Sequence, residues 1–254
     1  MKIDHWQSTD EAFLLNMDDT ELLDRWATLH AADLQPEPTG DLLAAWRLFH
    51  NGYFAEAAQA AIDLGDEGTP VLLRAVVAYT DYVCEDEDKC TELLEQAYQH
   101  AEDQGSDDIN HQFTTALAMG RYSQSISITK ALAKGLGGKV KNRLSAVLNA
   151  KPEHAEAHLA MAMYHAEIID KVGATLGGLT YGAKAKTAYQ HIEKALELCP
   201  NAINLIEAGN AILLLKGDDG MTEATDLYRQ AAAIEPLDSL QAMDVDFAAS
   251  QLED

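Results

Sequence analysis

Basic residues and cysteines are scarce in this chain, and each scarcity excludes a class of protein. Eighteen Lys and Arg stand against 42 Asp and Glu, which gives a formal net charge of −24 over 254 residues. That charge opposes non-specific binding to nucleic acid, which is itself a dense line of negative charge. The three cysteines are odd in number and lack CxxC spacing, so they indicate free thiols in a reducing compartment rather than a disulfide framework.

Long apolar runs are also missing. The longest, residues 203–215, is interrupted by Asn204, Glu207 and Asn210, and it is too short and too polar to span a bilayer. The opening MKIDHWQSTDEAF contains no apolar stretch of the kind that a signal peptide requires. The sequence therefore predicts a soluble, cytoplasmic protein without a membrane partner.

The residues that are abundant favour helices. Ala and Leu are frequent, β-branched residues are sparse, and no stretch shows sustained period-2 alternation. Ser8 and Glu11 have the capping-box spacing, which predicts a helix continuing through Leu15. Thr69 followed by Pro70 predicts the start of another helix. The expected fold class is all-α, built from short antiparallel hairpins.

An internal repeat ends at each of three prolines, Pro152, Pro200 and Pro236. Small, large and small apolar residues precede each proline by 12, 8 and 5 positions: Val140, Leu144 and Val147; Ala188, Ile192 and Ala195; Ala224, Tyr228 and Ala231. Small residues mark close helix crossings, large ones fill the neighbouring groove, and proline stops the helix. A unit of this kind cannot bury its apolar face alone, so such units are expected to stack.

This pattern resembles the second helix of a tetratricopeptide (TPR) repeat. The segment AEAHLAMAMYH after Pro152 resembles the first helix, with His158 and His165 at its interface positions. The resemblance is strongest over 140–236 and weaker over 41–65. It implies a right-handed α-solenoid with a concave groove that binds peptides or protein partners.

The expected organisation is a single domain over 1–254. We expect divergent repeats in 1–120, repeats closer to consensus in 121–236, a hairpin insertion near 166–184 and a C-terminal capping helix over 237–254. That last helix would carry apolar residues on one face, with Asp238, Asp244 and Asp246 outside it. Its alternative role is a docking helix for a partner.

Repeat spacing locates the insertion. Pro200 and Pro236 are 36 positions apart, near the TPR period of about 34 residues, whereas Pro152 and Pro200 are 48 apart. The extra residues fall in IIDKVGATLGGLTYGAK, which begins at Ile168. We expect the first helix to run past Asp170, a glycine-rich turn to follow, and the second helix to start near 183.

A second glycine cluster, ITKALAKGLGGKVKN over 128–142, echoes the first in its Leu-Gly-Gly. Glycine-rich turns can cradle an anion through open backbone N–H groups, or they can simply allow a tight bend between helices. Neither cluster is a P-loop, because Lys139 is followed by Val140 rather than Ser or Thr. Both interpretations of the clusters, an anion cradle and a tight bend, are compatible with the sequence.

Charge is distributed unevenly and favours a binding surface at these clusters. Residues 121–194 contain eleven Lys and Arg against five Asp and Glu, a net +6, while the remainder carries −30. This segment is either an anion-attracting surface or the partner of the acidic N-terminal half. The candidate binding residues are Lys134, Lys139, Lys141, Arg143, Lys171, Tyr181, Lys184 and Lys186, and His158 and His165 are expected to line the groove.

Three function classes follow. The leading one is a non-catalytic adaptor for a protein or peptide partner, and the alternative is a binder of a small anionic metabolite in a pocket closed by the 166–184 hairpin. An enzyme would need Tyr181, His165 and Lys184 to converge, and no nucleophile motif accompanies them, so no catalytic residue or cofactor is expected. No metal site is expected either, because HAEAH is not HExxH and a histidine at a repeat interface usually packs.

Overall fold

The chain is helical throughout the part that the computed structural model describes, residues 5–253, and that range contains no strand. This confirms the all-α prediction; Met1–Asp4 and Asp254, which the predicted 1–254 domain includes, lie outside the described residues. The α-helices are α1 (Asp19–Leu29), α2 (Gly40–His50), α3 (Phe54–Asp63), α4 (Thr69–Tyr82), α5 (Glu87–Gln104), α6 (Ile109–Ser125), α7 (Ile128–Lys134), α8 (Leu136–Ala150), α9 (Ala155–Val172), α10 (Ala174–Tyr181), α11 (Ala185–Leu198), α12 (Ala202–Lys216), α13 (Met221–Ala232) and α14 (Ser239–Ser250). Among these helices, none has the length and apolar content that a membrane crossing demands.

Side-chain caps explain where several helices start. Asp18 caps α1 by accepting from the backbone N–H of Glu21 at 2.9 Å, and the Glu21 carboxylate accepts from the N–H of Asp18 at 3.1 Å. The helix predicted from Ser8 is wrong, because only a 3-10 turn forms, over Glu11–Phe13. The chain then extends so that the N–H of Leu15 donates to the carbonyl of Asn51. A tertiary hydrogen bond thus overrides the local capping signal.

The helices fall into two compact units. Unit 1 contains residues 35–136, 237–240 and those before Ala31. In it α2 packs on α3, α3 on α4, and α4 on both α5 and α6. Its core is rich in fully buried large side chains, namely Trp46, Phe49, Phe54, Leu72, Phe113 and Met119.

Unit 2 contains residues 31–34, 137–236 and those from Gln241 onward. Helix α9 packs against α11 and α12, and α12 packs against α13. Alanines at the crossings, including Ala162, Ala195 and Ala208, are fully buried beside Ile192 and Ile212. The residues that the repeat pattern singles out are all buried: Val140, Leu144, Val147, Ala188, Ile192, Ala195, Ala224, Tyr228 and Ala231.

The segment that begins the last helix corrects one expectation. Asp238 and Asp244 are buried, with 4% and 2% of their surface exposed, although the sequence places them outside the apolar face. In unit 1 the Asp238 carboxylate lies 2.6 Å from Nδ1 of His50, whose Nε2 is 3.1 Å from Nε2 of His30. A carboxylate can be buried when a hydrogen-bonding partner replaces water. The pairing spans 188 positions, so periodicity cannot reveal it.

Candidate binding surface around helix α10

The predicted insertion is an additional helix rather than an open turn. Helix α9 continues to Val172, past Asp170 as expected, and Gly173 ends it with φ +81°. Helix α10 follows and ends at Gly182, which adopts the left-handed conformation at φ +67°. Positive φ carries little penalty for glycine, so these two residues permit the reversals on either side of α10. Helix α11 then begins at Ala185.

The two Leu-Gly-Gly clusters pack on the same residue of α9. A Cβ at Gly177 would lie 3.0 Å from Cγ2 of Ile168, and a Cβ at Gly137 would lie 3.7 Å from its Cδ1. Gly177 therefore lets α10 approach α9 closely, whereas the contact at Gly137 is of ordinary van der Waals length. Gly177 lies within α10, so close packing on Ile168 accounts for this glycine, whereas the contact at Gly137, in the first turn of α8, does not require one.

Lys141 and Tyr164 fix the end of α10 by sharing one acceptor. The carbonyl of Tyr181 accepts from Nζ of Lys141 at 2.9 Å and from the hydroxyl of Tyr164 at 3.0 Å. That carbonyl is one of the last in α10, where no later turn supplies a donor and a positive charge is favourable. The Lys141 ammonium also lies 5.8 Å from the centroid of the Tyr164 ring. Lys141 is thus a structural cap as well as a predicted binding residue.

Helix α10 exposes two apolar side chains, and lysines are exposed on α8 and at the start of α11. Leu176 and Leu179 are 55% and 84% exposed, whereas Leu136 in the echoing cluster is 1% exposed. Lys139 on α8 is exposed, as are Lys184 and Lys186 at the start of α11. We call Leu176, Leu179, Lys139, Lys184 and Lys186 the α10 surface. Isolated exposed leucines are common, but these two are three positions apart on an eight-residue helix and therefore lie on the same side of it.

Three histidines of unit 2 lie between α9 and α11. Nδ1 of His158 is 2.7 Å from Nδ1 of His191, and Nε2 of His158 is 2.9 Å from the carbonyl of Pro152. A carbonyl only accepts, so His158 carries a proton on Nε2. In the neutral ring its Nδ1 then accepts from Nδ1–H of His191. The ring of His165 stacks on that of His191 with an angle of 29° between the planes and centroids 6.3 Å apart.

Two of these histidines have strongly lowered pKa values. Burial lowers the pKa of His165 to about 4, with smaller contributions from His191, Lys141 and Lys184. Burial, followed by the charge of His158, lowers the pKa of His191 to about 4. Both rings are therefore neutral at pH 7. Nδ1 of His165 is buried and has no hydrogen-bond partner among residues 5–253.

The remaining predicted site residues are distributed more widely. Lys134 belongs to unit 1, where its Nζ lies 2.8 Å from Oε1 of Glu95 and holds the pKa of that carboxyl below its usual range. Lys171 pairs with Glu167 on the same helix at 2.6 Å. Arg143 is half-buried on α8. The structure thus brings Lys141, Tyr181, Lys184 and His165 into one neighbourhood of unit 2.

Sequence reasoning missed two structural features of this neighbourhood. His191 precedes Ile192 in the second helix of the repeat, and nothing in the spacing distinguishes it from a solvated residue. The capping role of Lys141 depends on α10, which the glycine content of the insertion disguises. The sequence did contain one indication of a packed helix here, because ATLGGLTY contains no charged residue and no proline.

Within residues 5–253, no three His, Cys, Asp or Glu side chains are grouped as a metal site requires. A scan against protein-family models finds no match for the chain. A search of curated proteins also returns no significant relative.

Proposed function

We propose that this protein is a non-catalytic adaptor built from TPR-like helical hairpins that stack as a right-handed solenoid. The burial of the repeat-pattern residues supports this architecture. So does the packing in unit 2, where the first helix of one hairpin, α9, contacts both its own second helix, α11, and the next hairpin's first helix, α12. The proposal includes a cytoplasmic location, with which the free thiols Cys84, Cys90 and Cys199 agree.

The α10 surface is the observation that carries the binding role. Its leucines offer apolar contact area, and its lysines offer positive charge within a chain that is otherwise strongly acidic. The complementary partner is an acidic polypeptide segment that contains apolar side chains, because its carboxylates would pair with Lys184 and Lys186 while its apolar residues cover Leu179. Exposed leucines on a rigid, capped helix lose little conformational freedom on binding.

Site-specific crosslinking tests this role. A photoreactive residue at position 179 should trap a polypeptide partner in native lysate, and the triple variant Lys139→Glu, Lys184→Glu, Lys186→Glu should abolish the product. Lys141 is left unchanged because its loss would uncap α10. The matched control is Lys151→Glu, Lys194→Glu, Arg229→Glu, which changes the net charge equally. Equal crosslinking in both triple variants would refute the assignment of the α10 surface.

A second candidate function is binding of a small anionic metabolite beside the histidines. The buried, unpartnered Nδ1 of His165 favours it, together with the nearby charges of Lys141 and Lys184. Bound anion would stabilise the fold by RT ln(1 + [L]/Kd), about 2.7 kcal/mol at a hundredfold excess over Kd. Thermal unfolding with inorganic phosphate and with di- and tricarboxylates measures this. An unchanged Tm in every case would contradict this function while leaving the adaptor role intact.

A further inference from the structure

Two of the three cysteines lie together at the turn between α4 and α5. Cys84 follows the end of α4, where its N–H donates to the carbonyl of Tyr79 at 2.8 Å. Cys90 lies in the first turn of α5, where its N–H donates to the carbonyl of Asp86 at 2.9 Å. The backbone of both residues is therefore held by helix ends, and neither thiol depends on a long flexible loop for its position.

Both thiols contact the backbone of the turn, and the Cys90 thiol reaches the backbone of Cys84 itself. The Cys84 thiol donates to the carbonyl of Asp86, and the Cys90 thiol donates to the carbonyl of Cys84, each at 3.5 Å. Both residues are half-buried, so a small oxidant has access to them.

We propose that Cys84 and Cys90 form a reversible redox site, in which a small disulfide such as glutathione disulfide oxidises the pair to an intramolecular disulfide. One cysteine thiolate attacks glutathione disulfide, forms a mixed disulfide and releases one glutathione thiolate. The second cysteine then attacks the protein sulfur of that mixed disulfide and displaces the other glutathione. Two protein thiols lose two electrons and two protons in total, and one glutathione disulfide becomes two glutathione molecules.

The electrostatics of the turn determine the rate and the stability of this bond. Burial, the neighbouring Cys84 and the charge of Asp86 raise the pKa of Cys90 to about 12. The thiolate is the nucleophile, so closure is slow at neutral pH and accelerates as the pH rises. A weakly acidic thiol is also a poor leaving group, so the disulfide resists reduction once it has formed.

A bond at this position acts on the segment near the N-terminus. Lys89 lies between the two cysteines, and its Nζ donates to the carbonyl of His5 at 3.0 Å. The ring of Trp6 stacks on Tyr79 with centroids 4.1 Å apart, and Lys89 lies 5.8 Å from the centroid of that tyrosine. Oxidation would therefore stiffen the turn that anchors residues 5 and 6.

Mass spectrometry of the full chain tests the proposal. The protein is equilibrated in glutathione buffers of increasing oxidised fraction at pH 8, alkylated and digested with trypsin. Cleavage after Lys89 separates the cysteines, so the disulfide appears as a linked pair of peptides, 75–89 and 90–121. The Cys199→Ser variant should give the same linked pair. Cys84→Ser should give no linked pair and should carry glutathione at Cys90 instead.

Two results would overturn the proposal. One is glutathione or alkyl label on Cys84 and Cys90 separately at every buffer ratio, with no linked peptides. The other is linkage of either residue to Cys199, because the proposal pairs Cys84 with Cys90. Circular dichroism of each variant establishes that the helices are retained, so that absence of the linked pair reports on the thiols and not on unfolding.

Discussion

The shared carbonyl at the end of α10 supports a quantitative prediction. Lys141→Met removes a charged donor from the Tyr181 carbonyl, and Tyr164→Phe removes a neutral one. A hydrogen bond to a charged group contributes about 1.5–3 kcal/mol, and a neutral one contributes about 0.5–1.5 kcal/mol. Methionine retains most of the aliphatic volume of lysine and phenylalanine retains the ring, so each substitution tests the polar contact and little else.

The two substitutions should not be additive. Each single variant leaves the carbonyl with one partner, whereas the double variant leaves it with neither of these two donors. An unsatisfied, partly buried carbonyl costs a further ~1–3 kcal/mol, which should appear as a coupling energy in the double-mutant cycle. The cost should be local, because α10 is a short helix that packs mainly on α9.

Amide hydrogen exchange measures this local stability. The N–H groups of Gly182 and Ala183 both bond to the carbonyl of Gly177 and report on the end of α10. Lys141→Met should accelerate their exchange by about 10- to 100-fold, since 1.4 kcal/mol corresponds to tenfold. Lys151→Met is the control, because Lys151 is an exposed lysine just beyond α8. Unchanged exchange in Lys141→Met, or strict additivity in the double variant, would refute the shared cap.

Three further predictions concern stability. Asp238→Ala should destabilise unit 1 by about 1.5–3 kcal/mol in urea unfolding, because it removes the buried carboxylate that pairs with His50. Gly52→Ala should cost about 1–3 kcal/mol by the same assay, because Gly52 adopts φ +88°. The free energy of unfolding should fall as the pH drops from 6.5 to about 4, because in that window His165 and His191 bind protons only when unfolded. His165→Gln should flatten that slope by at most about 1.4 kcal/mol per pH unit.

A different result would contradict each of these three stability predictions. If Asp238→Ala left the free energy of unfolding unchanged, the contact with His50 would contribute nothing to stability and the pairing argument would fail. Wild-type stability in Gly52→Ala would mean that the turn tolerates a side chain at positive φ. An unchanged pH slope in His165→Gln would show that the acid sensitivity arises from other groups.

Repeat chemistry made a large part of unit 2 predictable. Alanine at 188, 195 and 208 signals close helix crossing, and proline at 200 signals a helix end, because both effects arise from the residue itself. The extent of α9 followed from the spacing of the prolines. In this region local helix propensity and the pattern of burial favour the same helices, so the sequence predicts these helices well.

Long-range contacts were not predictable by the same reasoning. Ser8 and Glu11 carry a capping signal, but the bond from Leu15 to Asn51 takes precedence there. Glycine content suggested a turn where α10 forms. Glycine is needed at 177 because Ile168 on α9 packs closely there, and the glycine content of the segment does not reveal that contact. Charge counting likewise could not reveal that Lys134 pairs with Glu95, which lies 39 positions earlier.

The buried contacts of residues 237–240 have a consequence for biosynthesis. Unit 1 includes these four residues, and Arg25 donates to the carbonyl of Leu237 at 2.8 Å while Asp238 meets His50. A ribosome that has released the first 136 residues has therefore not yet delivered the whole of unit 1. The early helices cannot complete their core contacts until a segment about a hundred codons later has been synthesised. An interrupted translation product would have an incomplete N-terminal core and would therefore be cleaved by proteases more readily than the finished chain.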